Sequence, residues 1–188
     1  MNLAIELAAV ALGLAYLLLA MRERRSCWVA GGLASALFLW TFSEAGLPMQ
    51  ALLQVFYIAM AVHGWRHWGD PGAESVTAIS RYTTRDHALT IAAIILLTLA
   101  TVVLRDGGAE KAAILDASTS WAGVAATWMV ARKKLEAWLY WVVIDFATLL
   151  LYMDAGLLAS SALFAGYTVL AAAGWRQWQH SYQRQSAG

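Results

Sequence analysis

Gly64-Trp65-Arg66-His67-Trp68 returns 110 residues later as Gly174-Trp175-Arg176-Gln177-Trp178. The match runs outward from these two stretches. Residues 24–68 and 134–178 align without a gap, with Trp28 on Trp138, Ala45-Gly46-Leu47 on Ala155-Gly156-Leu157, and Tyr57 on Tyr167. Tryptophan is rare, so a gapless register that keeps it in step is the mark of a duplicated block. In an apolar helical chain, such a block is the signature of a transporter built from two like halves. A duplicated membrane bundle without a transport role is the other reading of the same repeat.

Composition sets the solvent. Of 188 residues, 61% are hydrophobic and only 13% charged, where soluble domains carry about a quarter charged. The charges cluster between long uncharged runs, as in a multi-span helical membrane protein. Seven apolar segments are predicted, at about 3–20, 26–42, 49–68, 87–104, 112–131, 135–153 and 157–178. The first, broken only by Glu6, has no basic leader and is read as a span rather than a signal peptide. The single Cys27 excludes an internal disulfide, and a net charge of +1 gives no reason to expect nucleic acid.

Residues 1–68 are predicted to form the first three-helix repeat, 69–111 a linker with a connecting fourth helix, and 112–188 the second repeat and a tail. The linker contains the turn signal Asp70-Pro71-Gly72. One odd helix between two three-helix blocks restores chain direction, so the repeats should be parallel in a three-plus-one-plus-three plan. Eleven Lys and Arg residues fall on one side of these spans and only Arg105 and Lys111 on the other. The positive-inside rule then puts the N-terminus outside and the C-terminus in the cytoplasm.

Ionisable groups inside a bilayer are costly unless they meet a cavity or a partner. Asp145 lies midway along the sixth span, and Trp138, Trp141 and Asp145 share one helical face. Two indoles above a carboxylate suit a flat, hydroxylated cation, because the rings stack on it and attract its charge. An interfacial Trp belt with an Asp bonded to a neighbouring helix is the alternative arrangement. On the third span, Gln54 and Tyr57 form a second candidate pair, contacting ligand or holding helices together. Ser120 and Thr127 are candidate path-lining hydroxyls, though such groups commonly bond their own backbone. Tyr167 is a candidate for gating or packing, and Asp116 for a helix N-cap or an outer-mouth residue. His63 and His67 have metal-binding spacing but no third ligand, so no metal is expected. No phosphate-binding loop or catalytic triad is visible, so neither direct ATP drive nor catalysis is expected, and no cofactor is called for.

These segments resemble the PnuC family of bacterial vitamin transporters. The resemblance rests on Leu53-Gln54-Val55-Phe56 leading to Gly64-Trp65-Arg66-His67-Trp68, on Ala131-Arg132-Lys133-Lys134-Leu135-Glu136-Ala137-Trp138-Leu139-Tyr140-Trp141, and on the closing Gly174-Trp175-Arg176-Gln177-Trp178. It implies a SWEET-like all-helical membrane fold assembled as a homotrimer in the bacterial inner membrane. It also implies facilitated diffusion of an unphosphorylated vitamin, nicotinamide riboside or in sister branches thiamine or riboflavin, which is trapped afterwards by phosphorylation. By position it places Trp138, Trp141 and Gln54 at the substrate. The sequence departs from the nicotinamide riboside carriers at two places. Ala137 stands where they commonly have Asn, and Asp145 stands where a known carrier has Asn. Nicotinamide riboside leads and thiamine follows. A membrane-embedded enzyme or receptor is more distant, since the mid-span Asp is nearly alone and no signalling domain is attached.

Overall fold

The computed structural model describes residues 3–46, 48–69, 77–104, 111–154 and 156–187. The Asp70-Pro71-Gly72 turn, Leu47, Arg105 and Ala155 lie outside them, as do the side chains of Glu6 and Lys111. Seven helices occupy the described residues: α1 (Leu3–Met21), α2 (Cys27–Glu44), α3 (Pro48–His67), α4 (Thr84–Leu104), α5 (Lys111–Ala131), α6 (Ala137–Asp154) and α7 (Leu158–Ala187). Among these residues there is no strand, only an isolated parallel bridge from Ser80 to Lys134. The seven predicted segments each fall on one helix, with α7 running nine residues past the predicted end. By length and apolar composition alone, α4 and α6 qualify as membrane-crossing. Within α1 the described residues Leu7–Met21 form a shorter apolar helix.

The chain forms two units, Met1–Ala78 and Ile79–Gly188. In the first, α2 packs on α1 and α3. In the second, α4 packs on α5, α5 on α6, and α6 on α7. The fourth helix therefore belongs to the second unit.

The 110-residue offset holds down to single backbone angles. Helix α1 ends where Glu23 turns to a φ of 55°, and α5 ends where Lys133 turns to 48°. Each is the left-handed residue of a Schellman cap. Arg24 N–H donates to the Leu19 carbonyl at 2.9 Å, and Lys134 N–H donates to the Met129 carbonyl at 2.8 Å. At the far ends of α2 and α6 the left-handed residue is Gly46 (68°) or Gly156 (73°), where a missing Cβ removes the strain.

The inner packing is duplicated too. Trp28 is 2% exposed and lies over Gly64, where an added Cβ would come within 2.1 Å of its ring. Its ring meets Trp68 edge to face, with centroids 5.4 Å apart. In the second unit Trp138 lies over Gly174, where a Cβ would come within 2.4 Å, and it meets Trp178 edge to face at 5.5 Å. The recurring Gly-Trp-Arg-x-Trp is therefore a receptor for one tryptophan. The glycine admits the indole and the last Trp walls it.

Candidate functional site

The Gly174–Trp138 contact fixes the register between antiparallel α6 and α7. Seven residues along α6 from Trp138 stands Asp145, and seven back along α7 from Gly174 stands Tyr167. Asp145 is the ninth of the eighteen residues of α6 and is 7% exposed. Among the described residues no hydrogen bond or ion pair reaches its carboxylate. Tyr167 lies close enough to feel its charge. The Tyr167 ring is held by Phe164, edge to face at 5.6 Å, and Phe164 meets Tyr152 of α6 at 5.4 Å.

Trp141, one turn before Asp145 on its face, is half-buried. Trp138, by contrast, is 1% exposed and engaged with Trp178 and Gly174. Within the second unit it serves the same packing purpose that Trp28 serves in the first. The indole N–H groups of Trp28 and Trp138 are both buried without an acceptor among the described residues.

Thr127 donates to the Gly123 carbonyl of its own helix at 2.8 Å. Ser118 and Thr119 likewise bond backwards to Leu115. Ser120 is half-buried. Asp116 is the sixth residue of α5, not its cap, because the helix begins at Lys111. The cap alternative does not fit a helix that starts one residue before the predicted 112, and the outer-mouth alternative is left.

In the first unit Gln54 is 8% exposed and Tyr57 half-buried, its ring edge to face with Phe56 at 5.6 Å. The residue matched to Asp145 is Ser35, also buried at 8%, so the charge is present in one repeat only. The rings of His63 and His67 are 3.8 Å apart, and His67 Nδ1–H donates to the His63 carbonyl at 2.9 Å. Among the described residues no group of three potential metal ligands exists.

One feature carries no local signal in the sequence. Residues 77–82 form a strap over the α5–α6 elbow. Ser80 N–H donates to the Lys133 carbonyl at 3.0 Å, and Leu135 N–H donates to the Ser80 carbonyl at 2.9 Å. Glu136 accepts from Arg81 Nε at 2.9 Å and from Tyr82 N–H at 3.0 Å. Ile79 is 3% exposed, and its N–H donates to Gln185 of α7 at 3.1 Å. Burial pushes the Glu136 carboxyl up, but the Arg81 guanidinium and the N–H bonds outweigh it and hold it below the usual carboxylate range. No local motif signals this clamp, because its partners are 54 and 55 residues apart.

Two like helical blocks, each seating a tryptophan over a glycine, define a duplicated all-helical bundle, with the buried carboxylate of Asp145 midway along α6. The family model for nicotinamide mononucleotide transporters matches residues 3–180. The chain belongs to that family. It is 26% identical over 204 residues to the nicotinamide riboside transporter PnuC of Escherichia coli (strain K12), covering 94% of this chain and 85% of that one. The same protein of Shigella flexneri gives the same figures. Among solved structures, the crystal structure of the vitamin B3 transporter PnuC superposes with a TM-score of 0.74 at 19% identity, over 96% of this chain and 82% of that one. That likeness carries the fold.

Proposed function

We propose that the protein is a multi-pass transporter of the bacterial inner membrane that carries unphosphorylated nicotinamide riboside by facilitated diffusion. Family membership supports the transport class. The band of exposed Leu89, Ile91, Ile95, Leu96, Leu99 and Val103 on α4 supports the bilayer, because water does not tolerate so large an apolar surface. The charge asymmetry supports an outer N-terminus and a cytoplasmic C-terminus. The repeats are read as a SWEET-like three-plus-one-plus-three plan, and the assembly as a trimer, on the family resemblance.

The single observation that carries the substrate reading is the match to the nicotinamide riboside transporters, and Asp145, buried and unpaired among the described residues, adds a preference for a cation. A phosphate monoester bears nearly two negative charges, and α6 contains no Lys or Arg to neutralise them beside Asp145. A carboxylate there repels the mononucleotide and attracts the pyridinium of the riboside. Trp141 is assigned to stack on the ring, with Trp138 supporting it from the preceding turn. Tyr167, Ser120 and Thr127 are proposed as lining residues of the second repeat, Gln54 and Tyr57 of the first, and Asp116 as an outer residue.

Thiamine is the second reading. Asp145 favours it as well, since its thiazolium is also a fixed cation. Calorimetry on the purified protein with nicotinamide riboside, nicotinamide mononucleotide, thiamine and riboflavin tests the assignment. Binding of the riboside alone supports it. Preference for the mononucleotide or for neutral riboflavin overturns it.

A further inference from the structure

We infer that Asp145 makes the carrier selective for the redox state of its substrate, so that it takes the oxidised pyridinium nucleoside and rejects the uncharged dihydropyridine form. The inference rests on the nicotinamide riboside reading and names which form of that ligand the site takes.

The two forms of the ligand differ little in size and keep the same carboxamide and ribose. They differ in charge: the oxidised ring holds a fixed positive charge at every pH, and the reduced ring holds none. A site that reads shape and hydrogen bonds treats them nearly alike. A site that reads charge does not. Asp145 supplies the means. It is more than nine-tenths buried, halfway along α6, with no hydrogen bond or ion pair among the described residues. A carboxylate in that position has lost its water and received nothing in return, so a ligand cation is the partner that offsets the loss. Among the described residues its surroundings supply none. At its level α7 offers the phenol of Tyr167. Helix α5 carries Asp116, a residue of the same sign. Helix α4 offers His87, whose Nδ1 is already 3.0 Å from the Tyr140 hydroxyl, five residues from Asp145 along α6.

The other repeat dispenses with the charge. The first unit has Ser35 at the matched position, equally buried, so the fold accepts a small neutral residue there. Neither helix geometry nor packing demands a carboxylate, and the charge is a property of the second repeat alone. Trp141, one turn away, adds an electron-rich ring face that also favours the cation.

The test is binding of both ligand forms to the detergent-purified protein, measured anaerobically by calorimetry for wild type, Asp145→Asn and Asp145→Ser. Serine is the residue the other repeat uses, so it guards against an asparagine variant that fails to fold. Wild type should bind the oxidised nucleoside at least about ten-fold tighter than the reduced one, the range of a desolvated ion pair plus a cation–π contact. Either neutral variant should lower that ratio several-fold, mostly by losing affinity for the oxidised form, and leave only the part that Trp141 supplies. Equal wild-type affinities overturn the inference and leave the riboside reading intact. So does a preference that persists undiminished in a folded neutral variant. Failure of the wild type to bind either form overturns the riboside reading, and the inference falls with it. Should neither variant fold, the wild-type ratio alone decides.

Discussion

At the scale of single residues, the most exacting demand is made by two glycines. Gly64 and Gly174 each lie under a tryptophan whose ring leaves no room for a Cβ. The rings are walled by Trp68 and Trp178 and cannot retreat. Gly64→Ala and Gly174→Ala are therefore expected to cost about 1–3 kcal/mol each, the usual penalty for overpacking, and to lower thermal stability visibly. Gly166→Ala, on an exposed turn of α7 with nothing within 4 Å, should be neutral or slightly stabilising. Thermal unfolding in one detergent compares all three, and equal effects would show that the indole contacts are not tight. These glycines were legible as members of the Gly-Trp-Arg-x-Trp repeat, but their purpose was not. The repeat displays which residues recur and leaves open what each one touches. Trp138 illustrates the gap. Spacing joins it to Trp141 and Asp145 on one face, yet its neighbours are Gly174 and Trp178 on another helix. Only a register between α6 and α7 reveals that, and single-helix periodicity contains no such register. For the same reason Trp138→Phe is a sharper probe than alanine. Phenylalanine keeps a ring over Gly174 and removes the N–H that has no acceptor among the described residues. If that donor is only buried, the variant should be as stable as wild type or more so, since an unsatisfied buried donor costs about 1–3 kcal/mol. Weakened substrate binding with stability unchanged would instead assign the N–H to the ligand.

At the scale of elements, the strap over the α5–α6 elbow depends on one carboxylate that accepts two bonds. Seven helices could be read from apolar runs and charge clusters because each run records its own solvent. The strap could not, because Ile79–Tyr82 is short, polar in part and acquires its form only from backbone groups exposed beside the left-handed Lys133. A glycine at that position would have signalled the turn, and a lysine conceals it. Glu136→Ala leaves the Tyr82 N–H without its acceptor and should destabilise the second unit by about 1–3 kcal/mol. Arg81→Ala should cost less, about 0–1 kcal/mol, since the Arg81 side chain is 57% exposed and its bond is screened by water. The sign of the pH dependence follows from Glu136 being held below its ordinary value of 4.5. A carboxylate favoured in the folded state contributes stability that is full above the ordinary value. That contribution disappears as pH falls through the lowered one. Denaturation midpoints of wild type should therefore decline between about pH 5 and 3 more steeply than those of Glu136→Gln. Parallel curves would exclude the clamp as the source.

At the scale of the whole molecule, the charge of the proposed substrate decides how transport responds to the membrane. A uniporter moves its ligand down the ligand's own electrochemical gradient. For a fixed cation that gradient includes the potential, whatever charge Asp145 carries through the cycle, because the protein returns to its starting state. With no potential, liposomes containing the pure protein should fill with labelled nicotinamide riboside only to the outside concentration. They should do so without sodium, a pH gradient or ATP. With potassium and valinomycin holding the interior 100 mV negative, one charge is worth about 2.3 kcal/mol, so the internal concentration should rise toward about 50-fold over the external one. An uncharged dihydropyridine analogue that enters by the same route should equilibrate and go no further. Exchange of the cation for a proton would behave differently. It would be electroneutral, indifferent to valinomycin and driven by a pH difference, and it would point to Asp145 as the group that trades one positive partner for another. Accumulation that follows the potential and ignores pH and sodium fixes the mechanism as uniport. Accumulation that follows pH or sodium and ignores the potential refutes it.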